Sequence, residues 1–248
     1  MRDLAFALML LAALPLAVAR PFNAYLLWGW TALLAPTTFF YGWMVGNRVN
    51  FLCAVLTLVL LALGRVPWRD YQPNKVTWLY LLLAAHATLA FLLAYPGNPY
   101  NDQYFEFLIK GLLFCVVMPF FVRERVHFHA IFIVIALGLG IHGVLNGLKT
   151  VASGGGHNMM GPAGTMLGDR NHLSTALAVV LPVLFYLQTY AANRLVRLGY
   201  LGVFCVVVLA ILGGGSRVGF ISVSVVGLWL IIYSRRKSMA LVFVAGAV

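Results

Sequence analysis

Gly154–Thr175 reads GGGHNMMGPAGTMLGDRNHLST. It is the longest polar interruption in a chain that is otherwise almost continuously apolar. Glycines stand at 154, 155, 156, 161, 164 and 168, Pro162 lies among them, and Asp169-Arg170-Asn171-His172 closes the stretch. From Leu173 the chain is apolar again. A glycine-rich polar loop that feeds straight into an apolar helix divides the chain into spans on either side of it, and it is where chemistry is expected first.

Working outward, the chain has 248 residues, of which 62% are hydrophobic and only 9% charged. Mean hydropathy is +0.94. A soluble domain carries roughly 25% charged residues, so the composition predicts an integral membrane protein with one membrane domain over 1–248. Each spanning helix needs about 20 mostly apolar residues. Nine candidate spans and a partial tenth meet or approach that length: Leu4–Ala19, Phe22–Val45, Val49–Gly64, Val76–Tyr95, Tyr104–Val122, Val126–Leu148, Leu173–Tyr190, Leu198–Leu212 and Val218–Tyr233, then Leu241–Val248. The fold class is therefore all-α, a polytopic transmembrane bundle. Its parts are N-terminal helices over 1–150, a loop over 151–172, and the start of a second group of helices over 173–248. The N-terminus is read as a retained first span rather than a cleaved signal, because Asp3 follows Arg2 and another apolar segment arrives at once. The chain stops inside an apolar run, so a C-terminal part is expected to be missing.

The net charge is +11. Eleven basic residues fall in loops after odd-numbered spans: Arg20, Arg65, Arg69, Lys75, Arg123, Arg125, Arg194, Arg197, Arg235, Arg236 and Lys237. Six fall on the other side: Arg2, Arg48, Lys110, Lys149, Arg170 and Arg217. Cytoplasmic loops collect Lys and Arg, so the first set is assigned to the cytoplasm. The glycine-rich loop and Arg217 then share the outer face. This distribution explains the basic balance without nucleic acid, and it leaves the minority face to be explained by function, because ionisable groups at membrane depth are costly.

Arg217 follows Gly213-Gly214-Gly215-Ser216. Its planar fork suits bidentate binding of phosphate, and that reading is placed ahead of an interfacial anchor. Asp169 is equally a helix cap and a catalytic group. Arg170 and Asn171 sit where a helix N-terminus favours anions. His172 can exchange protons near neutral pH. Lys149, at the end of the sixth span, reads first as an interface anchor and only second as a ligand contact. Lys110 and Glu106 have i, i+4 spacing and predict an ordinary ion pair. His86 and His142 lie within spans and read as helix–helix hydrogen-bonding groups, while His127 and His129 read as structural. Cys53, Cys115 and Cys205 lie in apolar runs and read as small buried hydrophobes. No Walker A, HExxH, GxSxG or Cys/His spacing occurs, so no metal and no cofactor is expected.

The stretch Gly143–Ala176 resembles a signature of the O-antigen ligase/polymerase superfamily, closest to the O-glycosylation ligases of exosortase A-associated systems. The matching elements are Gly155-Gly156, Gly161-Pro162-Ala163-Gly164-Thr165 and Asp169-Arg170-Asn171 before an apolar helix. Asn98-Pro99-Tyr100, Phe107-Leu108-Ile109-Lys110 and Ser216-Arg217 are also similar. Val218 departs from the glycine usual after the arginine, although Gly219 follows, and Arg170 stands where many relatives have asparagine. The resemblance implies an inner-membrane glycosyltransferase that takes a glycan from undecaprenyl pyrophosphate to a lipid, protein or glycan acceptor on the periplasmic face. It implies that 173–248 begins the ligase/polymerase core, that Arg217 holds the pyrophosphate, and that the base is a histidine in a later loop beyond Val248; Arg170, Asn171 and Lys149 are the further candidates for pyrophosphate binding. His172 and Asp169 are the fallback catalytic groups within this chain. A polymerase of the same superfamily, a transporter or flippase for an anionic lipid or solute, and a structural subunit are the alternatives.

Overall fold

A computed structural model describes residues 2–66, 74–95, 98 and 100–233. Among these residues the chain is helical and carries no strand. The helices are α1 (Arg2–Ala19), α2 (Pro21–Leu34), α3 (Val49–Ala62), α4 (Lys75–Leu92), α5 (Tyr100–Phe121), α6 (Arg125–Ala152), α7 (Arg170–Tyr190), α8 (Arg194–Gly213) and α9 (Arg217–Tyr233). Six of them, α1 and α4 to α8, are long and apolar enough to cross a membrane. This makes the chain a multi-pass membrane protein by the length and composition of its helices.

Two expected spans are shorter than the hydropathy suggests. The second, expected to run to Val45, ends as α2 at Leu34 after 14 residues. Pro36 is the cause. Its ring cannot continue a helix, and it disfavours the helical conformation in the preceding residue. Ala35 accordingly turns left-handed (φ 46°), and one 3₁₀ turn, Pro36–Phe39, follows. The third span is α3, also 14 residues. The ninth begins one residue early, at Arg217, and reaches Tyr233, the last described residue. The partial tenth and the basic cluster Arg235-Arg236-Lys237 lie outside the described residues.

Contacts divide the chain into two compact units. The first comprises Met1–Gly29 and Arg48–Phe128. Here α4 lies along α5, with Phe91 stacked on Phe105 at 4.3 Å. Tyr25 of α2 is sandwiched between Phe114 and Phe121 of α5, at ring distances of 4.4 and 5.1 Å. The Glu106–Lys110 ion pair forms on the exposed face of α5.

The second unit comprises Trp30–Asn47 and His129–Val248. Its centre is α7, which packs on both α8 and α9. Leu173, Leu177, Val180, Leu181, Leu184 and Leu187 recur at three- and four-residue intervals and are fully buried or nearly so. That is the period of one helix face. Helices in a membrane associate through close packing rather than water exclusion, so small residues mark their contacts. On α6, Gly143 and Gly147 meet α8: a Cβ at Gly143 would lie 2.6 Å from Val207 Cγ2, and one at Gly147 would strike the Val206 carbonyl oxygen. Where the apolar run of α8 ends, Gly213 abuts the Thr150 side chain at the end of α6. These contacts bring the C-termini of α6 and α8 and the N-termini of α7 and α9 to one end of the unit.

Candidate functional site at the paired N-termini of α7 and α9

Asp169 precedes α7 in extended conformation and accepts a hydrogen bond from the Asn171 N–H at 2.8 Å, so it caps the helix. A short oxygen-bearing side chain at this position satisfies an N–H that the helix leaves open. Ser216 does the same for α9, accepting from the Gly219 N–H at 3.0 Å. The two caps are joined. The Ser216 hydroxyl, itself buried, donates to Asn171 Oδ1 at 2.8 Å. Asn171 is thus held by its backbone to one cap and by its side chain to the other.

Packing reinforces the joint. A Cβ on Gly219 would lie 2.6 Å from Ser174 Cβ and 3.0 Å from Ile211 Cγ2, so glycine at this position lets α9 approach α7 closely. Ser174 folds its hydroxyl back onto the Arg170 carbonyl at 2.6 Å. The neighbouring Val218 is exposed, and the residue that must be small is Gly219.

Arg170 is the first residue of α7 and Arg217 the first of α9. Both are exposed. Two helix N-termini present unsatisfied N–H groups and partial positive charge, and each here carries a guanidinium. The arrangement is suited to an extended anion with several phosphate oxygens. His172 is exposed in the first turn of α7, and Lys149 is exposed near the end of α6. Both are at this end of the unit, outside the Asn171–Ser216 joint. Among the described residues no three His, Cys, Asp or Glu side chains converge as a metal-holding group.

The loop between α6 and α7 is built onto the same end. Gly154, Gly155 and Gly164 have φ of 62°, 91° and 72°, a region that residues with a Cβ seldom enter. Gly161 to Gly168 close on themselves: the Gly161 N–H donates to the Gly168 carbonyl at 3.3 Å and the Gly168 N–H to the Thr165 carbonyl at 3.1 Å. A Cβ at Gly161 would strike the Leu167 carbonyl oxygen. Met159 is fully buried against Gly214.

Sequence reasoning missed the loop's polar anchor. His157 Nε2 lies 3.0 Å from Asn146 Oδ1. Asn146 donates from Nδ2 to the His142 carbonyl at 2.9 Å, which leaves its oxygen as the acceptor for a His157 N–H. His142 in turn donates from Nε2 to the Leu34 carbonyl at 2.9 Å and stacks on Phe39. His142 therefore bonds a helix end, as expected for a histidine within a span, and the carbonyl it satisfies is one that the break at Pro36 leaves open.

The chain belongs to a family of unknown function, DUF5935, whose sequence profile matches residues 1–192. Neither a search of curated proteins nor one of solved structures found a match.

Proposed function

We propose that this protein is a membrane glycosyltransferase of the O-antigen ligase or O-glycosylation ligase type, taking a glycan from undecaprenyl pyrophosphate to an acceptor at the periplasmic face of the inner membrane. The observation that carries the reading is the Ser216–Asn171 hydrogen bond, which ties two arginine-bearing helix N-termini together. In such a transfer the acceptor oxygen attacks the anomeric carbon, the bond from that carbon to the pyrophosphate oxygen breaks, and a base takes the acceptor proton. Negative charge grows on the departing pyrophosphate. Cations and N–H groups fixed in advance stabilise that charge without reorganising, and Arg217, with Arg170 beside it, has this role. Asn171 positions the pair through its two hydrogen bonds. His172 is the fallback base within this chain.

The test is complementation of a strain lacking the gene, comparing wild type, Arg217→Ala and Arg170→Ala at matched protein levels. Loss of glycan from acceptors with accumulation of lipid-linked glycan in the outer leaflet supports transfer. Accumulation confined to the cytoplasmic leaflet points to transport instead. Normal glycosylation in both variants overturns the assignment.

A further inference from the structure

The first unit holds a second cationic feature, unrelated to the arginine pair above. The N-terminus of α2, the C-terminus of α3 and the C-terminus of α5 converge on an open cleft of about 190 Å³. Pro21, Phe22, Val66, Phe120 and Phe121 wall it, and Arg65 and Arg123 complete the lining. Both arginines are exposed.

Each part of the cleft is held by local structure. Arg65 follows Gly64, whose φ is 69°. The Gly64 N–H bonds the Leu61 carbonyl at 3.1 Å and the Arg65 N–H bonds the Leu60 carbonyl at 3.2 Å. This left-handed cap ends α3 at a fixed angle and sets the direction from which Arg65 departs. Arg123 is fixed from the other side: His127 Nδ1 accepts from the Arg123 and Glu124 N–H groups at 3.2 and 3.4 Å. The His127 ring packs on Phe22 at 4.2 Å, and Phe121 is stacked against Tyr25. Glu124 is exposed and does not line the cleft.

We infer that this cleft binds the headgroup of an anionic phospholipid of the surrounding membrane. The two guanidinium groups meet the phosphate, and the phenylalanine wall receives the glycerol and upper acyl carbons. Three features support a lipid over a soluble anion. The cationic groups stand beside a mostly aromatic wall, which an inorganic ion would not use. The site lies at the ends of apolar helices, where headgroups sit. Arg65 and Arg123 belong to the majority-basic set of loops, and basic pockets between helices on the cytoplasmic side are a recognised means of holding acidic lipids.

The experiment is native mass spectrometry of the full chain equilibrated with mixed micelles of phosphatidylglycerol and phosphatidylcholine. Wild type retains phosphatidylglycerol in preference to phosphatidylcholine. Arg65→Gln and Arg123→Gln each weaken that preference about fivefold, and the double variant loses it. Arg65→Lys with Arg123→Lys keeps it, which separates loss of charge from loss of fold. Arg194→Gln, an exposed arginine in the second unit, leaves it unchanged. Absence of any preference in wild type overturns the inference, as does an equal loss in Arg194→Gln. So does full displacement of the lipid by millimolar inorganic phosphate.

Discussion

The hydroxyl of Ser216 donates to Oδ1 of Asn171 at 2.8 Å, across 45 residues of chain, and the same hydroxyl oxygen accepts the Gly219 N–H. One buried atom therefore serves as helix cap and as interhelical tie. Replacing Ser216 with alanine removes the cap, which costs about 1 kcal/mol, and leaves the Asn171 amide short of a partner. The expected loss is about 1–3 kcal/mol in thermal unfolding of the purified chain in detergent. Asn171→Ala removes only the tie. A double-mutant cycle is expected to return a coupling of about 0.5–1.5 kcal/mol; additive effects would mean that the two side chains do not support each other.

Close approach of α7 and α9 depends on Gly219 and is indifferent to Val218. A methyl group at 219 meets Ser174 and Ile211 at 2.6 and 3.0 Å, so Gly219→Ala is expected to destabilise by about 1–3 kcal/mol. Val218 is 46% exposed and meets no such constraint. Val218→Gly is expected to cost about 1 kcal/mol or less, from backbone freedom alone. Equal effects at the two positions would mean that the crossing yields to the added carbon.

These two positions show what was legible in the sequence. Long apolar runs announce α1 and α4 to α8, because hydropathy reads helix length directly. It over-reads the second span, because an apolar window does not register that Pro36 breaks the backbone and that Ala35 turns left-handed. Arg170, Asn171 and Arg217 are visible because polar side chains are rare in such a chain. Their connection is not, since the tie depends on a serine whose two bonds are set by tertiary packing. Asn146 and His157 are likewise silent: each reads as an ordinary polar residue until the loop folds back over α6.

The loop between α6 and α7 should come loose when its polar anchor is removed. His157→Ala leaves Asn146 Oδ1, a buried acceptor, without its partner at 3.0 Å. An unpaired buried acceptor costs about 1–3 kcal/mol. Because His157 is in the loop and not in the helices, the effect should be local. Hydrogen exchange is expected to quicken about tenfold or more across residues 153–168, while α7 and α8 keep their protection. Uniform acceleration throughout the second unit would show that His157 supports the helix group as a whole.

The two ends of α7 provide a direct check of orientation. It has 21 residues, about 31 Å at 1.5 Å per residue, which matches a hydrocarbon core of about 30 Å. Its N-terminal end carries the glycine-rich loop, and its C-terminal end leads to Arg194 and Arg197, where the Arg197 guanidinium bonds the Ala191 carbonyl at 3.1 Å. Met160 and Arg194 are both exposed and lie at opposite ends. With Cys53, Cys115 and Cys205 replaced by alanine, Met160→Cys should react with a membrane-impermeant maleimide added to whole cells. Arg194→Cys should react only after the membrane is opened. The charge argument rests on eleven basic residues against six, and the reverse labelling pattern would invert it. That outcome would move Arg170 and Arg217 to the cytoplasmic face, where a periplasmic glycan transfer has no use for them.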